Sequence, residues 1–197
     1  MLERYEKYLD LIGSHLLQKY FETQKEYLHC KAGCSHCCES GEYPFTNLEF
    51  QYAMVGYKAL SEKEKDIIQK KVKQIKIDKE KPTKETFMHE CPFLIDKKCS
   101  IYKYRGIICR THGLLYFITD KDGNSRNKMP HCVNLGLNYS NVYDENIGMI
   151  SDELWKKSGI KNEPVAYNLG IKALCSNSVT KELELDFGEA KALIEWL

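Results

Sequence analysis

The chain is expected to be mainly α-helical with one small β-hairpin, built around an irregular cysteine-rich, metal-binding core. Three observations predict this. Apolar residues recur at helical spacing from the first turn onward, two segments open with capping-box chemistry, and eight of nine cysteines fall at turns and segment ends. Length and composition agree: 197 residues with 43% hydrophobic and 29% charged side chains suit one domain with an ordinary core. The expected organisation is a single domain, 1–197, whose cysteine-cluster region 27–135 is flanked by an N-terminal helix and by C-terminal helices.

The elements follow in order. Leu2, Tyr5, Leu9, Ile12, Leu16, Tyr20, Thr23 and Tyr27 recur every third or fourth position and predict one long amphipathic helix leading into the first cysteines. Gly33 and Gly41 punctuate a compact turn. Thr46-Asn47-Leu48-Glu49 and Ser61-Glu62-Lys63-Glu64 each place Glu three residues after a hydroxyl cap, so helices start there. The second helix buries Ile67, Ile68, Val72 and Ile75 and turns a run of lysines and acids to solvent. Residues 78–86 are charged, contain Pro82 and read as a loop. Gly113 to Thr119 forms a strand, Asp120-Lys121-Asp122-Gly123-Asn124 a hairpin turn, and Ser125 to Met129 the return strand. An Asn-, Tyr- and Gly-rich stretch stays irregular until Ser151. Helices are expected over Ser151–Lys157, Pro164–Cys175 and Glu189–Leu197.

The chemistry lies in the cysteines. Cys30, Cys34, Cys37 and Cys38 crowd four thiols into nine residues, and Cys91, Cys99, Cys109 and Cys132 follow. Thiols so close in sequence do not all pair as unstrained disulfides, but short spacings let one turn of loop wrap a soft or borderline metal. Neighbouring side chains diverge, so one of Cys37 and Cys38 is expected at a second centre or behind the first. Asp96-Lys97-Lys98 makes a tight turn that brings Cys91 and Cys99 together. Eight thiols suffice for two four-thiolate centres, or for one cluster with sulfurs to spare. Arg105 and Arg110 are placed to offset thiolate charge. His29, His36, His112 and His131 lie near cysteines and are alternative ligands. Cys175, in an apolar pattern of its own, reads as a small core residue.

These residues are recognisable together. Cys30-x3-Cys34-x2-Cys37-Cys38, Cys91-Pro92-Phe93-Leu94, Cys99-x-Ile101-Tyr102-x2-Arg105 and Cys109-Arg110 resemble the YkgJ-type cysteine-cluster family, a zinc- or iron-chelating domain. The resemblance covers about residues 27 to 135. It implies Cys30, Cys34, Cys37, Cys38, Cys91, Cys99 and Cys109 as metal ligands, with Cys132 as the eighth. One departure is visible: the family usually has Arg-Pro where this chain has Arg105-Gly106. A related branch, the flagellin lysine methylases, is similar in its cysteine region and is associated with an iron–sulfur cluster.

Function classes narrow accordingly. Lys+Arg of 29 against Asp+Glu of 28 argues against nucleic-acid binding through a global field. No apolar run approaches the roughly 20 residues that span a bilayer, and the N-terminus lacks the pattern of a secretory signal, so a cytoplasmic protein with reduced thiols is expected. The residues name no reaction and no partner, a protein partner being the open case. Cys30-x3-Cys34-x2-Cys37 also matches the spacing of radical S-adenosylmethionine enzymes, but it follows a long helix and no βα alternation comes after it. The favoured reading is a [4Fe–4S] protein serving electron transfer or supporting methyl transfer. The alternative is a structural zinc module mediating protein interaction.

Overall fold

The computed structural model describes residues 1–31, 33–81, 87–119 and 122–197. It is about 49% helical, as expected for a mainly α chain, and the described residues form four small sheets, one of which contains the predicted hairpin. Of the loop predicted over residues 78–86, Asp78 and Lys79 instead end the helix Glu62–Lys79, and 82–86 lie outside the described residues, as do the turn residues Asp120 and Lys121. Among the described residues no helix is long and apolar enough to cross a membrane. The chain forms two compact units: Met1–Leu2, Gly33–Arg110 and Leu185–Leu197 make the first, Glu3–Ala32 and Thr111–Glu184 the second.

In the first unit both capping boxes form as the sequence predicts. Thr46 opens the helix Asn47–Lys58 and Ser61 opens the helix Glu62–Lys79, each hydroxyl accepting from the backbone of a Glu that bonds back. The second helix buries Ile68 and Ile75 and packs Val72 against a core of Tyr43, Phe45, Ala53, Phe93, Leu94, Ile101 and Leu193. The terminal helix predicted over Glu189–Leu197 is shorter than expected. Ala190–Ala192 instead pairs antiparallel with Pro44–Thr46, and only Leu193–Trp196 is helical. Pairing gives these backbone groups partners that a lone terminal turn of helix lacks.

In the second unit the N-terminal helix is interrupted. It is α-helical over Leu2–Leu11, widens to a π-turn over Ile12–Leu17, resumes over Gln18–Thr23 and tightens over Lys25–Tyr27. The extra residue in the wide turn shifts the buried stripe by one position. Leu17 rather than Leu16 and Gln24 rather than Thr23 are buried, Tyr20 is half-buried, and Tyr27 is buried as predicted. Tyr27 packs with Leu115, Val133, Tyr139 and Val142. The predicted hairpin forms as Tyr116–Thr119 against Ser125–Lys128.

The helix predicted over Pro164–Cys175 does not start at Pro164. Fully buried Gln24 takes up that segment's backbone instead, its Oε1 accepting from Val165 N at 3.0 Å and its Nε2 donating to Glu163 O at 3.2 Å. Tyr167–Asn168 then adds a parallel strand beside Tyr116–Phe117, leaving helix only over Ile171–Cys175. Within the stretch expected to be irregular, Tyr143–Asp144 and Met149–Ile150 form a hairpin. Ser151 caps the predicted helix, observed over Asp152–Ser158, and an additional helix, Ser178–Glu182, opens on Asn177.

Candidate metal centre

The first unit gathers Cys34, Cys37, Cys38, Cys91, Cys99 and Cys109 from three places in its sequence. Cys37 and Cys38 sit on the single-turn helix His36–Glu39, Cys91 precedes the hairpin Leu94–Ile95/Lys98–Cys99, and Cys109 lies in the short helix Ile107–Thr111. Asp96 and Lys97 make the hairpin turn, both at positive φ (48° and 61°), the conformation a tight two-residue hairpin requires. The turn thus forms where the sequence places it and carries Cys99 at its exit.

Two bonds tie the Cys37–Cys38 helix to this hairpin region. Cys91 N donates to Cys38 O at 2.8 Å, and Lys97 Nζ reaches Glu39 Oε1 at 2.7 Å. Lys97, with Ser35 and His36, holds the Glu39 carboxyl down at about 2. The adjacent thiols do not diverge: Cys37 Sγ and Cys38 Sγ approach to 3.9 Å. Cys34 stays exposed.

The helix bearing Cys109 is anchored by Glu49, a residue the sequence offers only as part of a capping box. Glu49 is 1% exposed. Its Oε2 accepts from Thr46 N (2.9 Å) and Thr46 Oγ1 (2.8 Å), and its Oε1 accepts from Ile107 N (2.8 Å), the first residue of that helix. Gly106, where a proline is usual, also has a local cause. A Cβ at this position would stand 2.8 Å from Cζ of buried Phe45, so the close approach of chain and ring needs glycine.

Five thiols of this unit act on one another. A hydrogen bond with Cys37, then burial, then the charges of Cys37, Cys91 and Cys109 push the Cys38 thiol far up. Burial pushes Cys91 up to about 12, and burial followed by Cys91, Cys99 and Cys37 pushes Cys109 well above its ordinary value. Cys99 is raised by burial and pulled back by Arg105. Without a cation among them the thiols are held neutral, and a metal would supply the charge that burial withholds. Cys91 lies in the apolar core and Cys38, Cys99 and Cys109 pack against it. Among the described residues no three His, Cys, Asp or Glu side chains already stand in a metal-holding arrangement. The donor set therefore fits a thiophilic metal by its chemistry, with convergence on one point left to binding itself.

Of the two arginines, Arg105 acts on a thiol, while Arg110 donates to the carbonyls of Arg105 (3.2 Å) and Lys103 (2.6 Å). The sequence misses three neighbours. Lys71, hidden in a lysine run that reads as a solvated face, donates to Leu94 O and favours the Cys91 thiolate. Tyr43 is buried, donates to Cys37 O at 3.1 Å, and is raised by burial and by Cys91, Cys38, Cys109 and Cys37. His89 packs edge-on to Tyr43. No spacing rule marks any of them.

The other candidates are placed differently. Cys30 and Cys132 belong to the second unit, together with His29, His112 and His131. His36 is exposed and pairs with Glu39 at 3.1 Å, and half-buried His112 is lowered by burial and by His131. Cys175 is half-buried at the end of its helix. Among aromatics near the cysteines in sequence, Tyr104 packs against the core that holds Cys91, whereas Tyr102 is 64% exposed beneath the Arg105 guanidinium, and Tyr116 and Phe117 lie in the second unit. Tyr43, Phe45 and Phe93 are the aromatics of the core that Cys91 joins.

A family model described as CxxCxxCC, "putative zinc- or iron-chelating domain", matches residues 29–133. No curated protein and no solved structure matches the chain.

Proposed function

The chain belongs to the CxxCxxCC family of zinc- or iron-chelating domains, and from that premise we propose that its first unit holds an iron–sulfur centre serving electron transfer or supporting methyl transfer. One observation carries this reading. The thiols are not a surface knuckle: Cys91 is part of the apolar core and Cys38, Cys99 and Cys109 pack on it. A redox cluster needs shelter of this kind, because its potential and its resistance to water follow from burial and from hydrogen bonds to sulfur. Ligands come from Cys37, Cys38, Cys91, Cys99 and Cys109, with exposed Cys34 completing the set from the rim.

When bound, the centre supplies one-electron chemistry. This chain's residues do the rest. Arg105 and Lys71 offset thiolate charge at Cys99 and Cys91, Tyr43 excludes water, and Glu49 keeps the Cys109 helix in place.

The test is metal and acid-labile sulfide analysis with a visible spectrum, on protein purified without oxygen. About four irons and four sulfides, with broad thiolate-to-iron absorption, are expected. Stoichiometric zinc and no colour would overturn the iron–sulfur reading in favour of a structural zinc module that presents a surface to a protein partner.

A further inference from the structure

The first unit carries an apolar cleft that the metal reading does not use. Helices Asn47–Lys58 and Glu62–Lys79 together wall a space of about 430 Å³, open to solvent on one side. Phe50 and Met54 of the first helix, Ile68 and Val72 of the second, and Trp196 form its apolar lining. That lining is held in place: Trp196 stacks on Phe50 at 5.4 Å between ring centroids, and its Nε1 donates to Phe45 O at 3.0 Å. At one end Gln69 Nε2 donates to the Tyr57 hydroxyl at 3.2 Å. One and two turns further along the same helix, Lys73 and Lys76 give the cleft its charge. Lys65, Lys71 and Lys79 of that helix each pair with an acid, Glu62, Glu90 and Glu195. Lys73 and Lys76 pair with none among the described residues, and no Asp or Glu lines the cleft.

We propose that this cleft binds a medium-chain carboxylate, an unbranched apolar tail ending in a single carboxyl group. The tail lies on the aromatic and aliphatic lining, and the carboxylate meets the two ammonium groups at the lysine end. Volume fits a small molecule: pockets for such ligands run from about 300 Å³ upward, mostly apolar with a few polar groups that fix orientation. Length fits too. Ile68 to Lys76 spans about 12 Å of helix, eight rises of 1.5 Å, the reach of a tail such as that of decanoate. Charge decides the headgroup. Two cations one turn apart with no neutralising acid repel each other until an anion arrives, and a neutral or cationic head would leave that repulsion in place. The inference is independent of the metal centre, since no cysteine lines the cleft.

The experiment is calorimetric titration of the full, metal-holding chain with decanoate below its micelle concentration. Saturable binding at one site is expected, with a shift of the Trp196 indole N–H resonance. Octanoate, two methylenes shorter, should bind about fourfold more weakly, because a fully buried methylene is worth roughly fourfold and an open cleft covers about half of each. Decanol and acetate, which lack the head or the tail, should each bind about tenfold more weakly or worse. Lys73→Gln with Lys76→Gln, two exposed changes that spare the core, should weaken decanoate about tenfold and leave decanol unchanged. No binding of decanoate, equal affinity for decanol, or undiminished affinity in the double variant would overturn the proposal. So would binding of phosphatidylglycerol vesicles in place of decanoate, which would make the lysines a membrane contact. A dimer in sedimentation that Met54→Gln breaks would overturn it as well, making the cleft a contact between two copies. Metal content should match the parent in every variant, and absence of metal from the parent would fail the metal reading alone.

Discussion

Replacing Glu49 by alanine tests how the chain positions Cys109. The carboxylate satisfies two buried backbone donors, Thr46 N at the helix start before it and Ile107 N at the start of the Cys109 helix. Alanine orphans both, at about 1–3 kcal/mol each. Removing a carboxyl that burial already disfavours as a charge, shown by its raised pKa, gives part of this back. The net cost is about 3 kcal/mol, or a melting temperature ~6–12 °C lower for a chain of this size. Glu49→Gln keeps one oxygen for Ile107 N and turns a donor toward Thr46 N, so it should cost about half as much. The assay is thermal unfolding of the metal-free protein, paired with hydrogen exchange at the Ile107 amide and metal content after reconstitution. Alanine should deprotect that amide and lower metal uptake, while glutamine should preserve both. If alanine left the Ile107 amide protected and metal uptake intact, the clamp would be refuted, whatever happened to stability.

Other outcomes follow from the same geometry. Cys37→Ser should remove metal and lower the melting temperature, whereas Cys175→Ser should change neither, as checked by metal analysis and unfolding; full metal content in Cys37→Ser would sink the ligand set. Gly106→Ala forces a carbon to 2.8 Å from the Phe45 ring and should cost about 1–3 kcal/mol by denaturant titration. Cys38, Cys91, Cys99 and Cys109 have folded values above the unfolded 9.0, Cys91 at about 12. Their stabilising contribution is therefore full below pH 9 and lost as pH rises toward 12. Metal-free protein should accordingly weaken across that window in pH-dependent melting, while metal-loaded protein, its thiols already deprotonated, should not. Arg105→Gln removes the cation that favours the Cys99 thiolate and should move the pH midpoint of metal uptake upward; an unchanged midpoint would show that Arg105 does not act on the site.

Local chemistry was the legible part. Both capping boxes, the Asp96–Lys97 turn and the hairpin strands were readable because each depends on a few residues close in sequence. Helix ends decided by distant partners were not. Gln24 takes the backbone of 163–165 away from helix, and Pro44–Thr46 draws Ala190–Ala192 into a strand. The π-turn at Ile12–Leu17 moves burial from Leu16 to Leu17 without any signal in composition.

The same division holds at the site. The cysteine spacing by itself pointed to metal binding and to the family whose model matches residues 29–133, because thiol density at short spacing has few other uses. It did not sort the thiols. Cys30 stands four residues from Cys34 in sequence, yet the chain's folding assigns them to different units. Tertiary structure alone placed Tyr43, Lys71 and Glu49 around the remaining sulfurs. Burial and charge depend on what packs nearby in space, and sequence distance does not encode that.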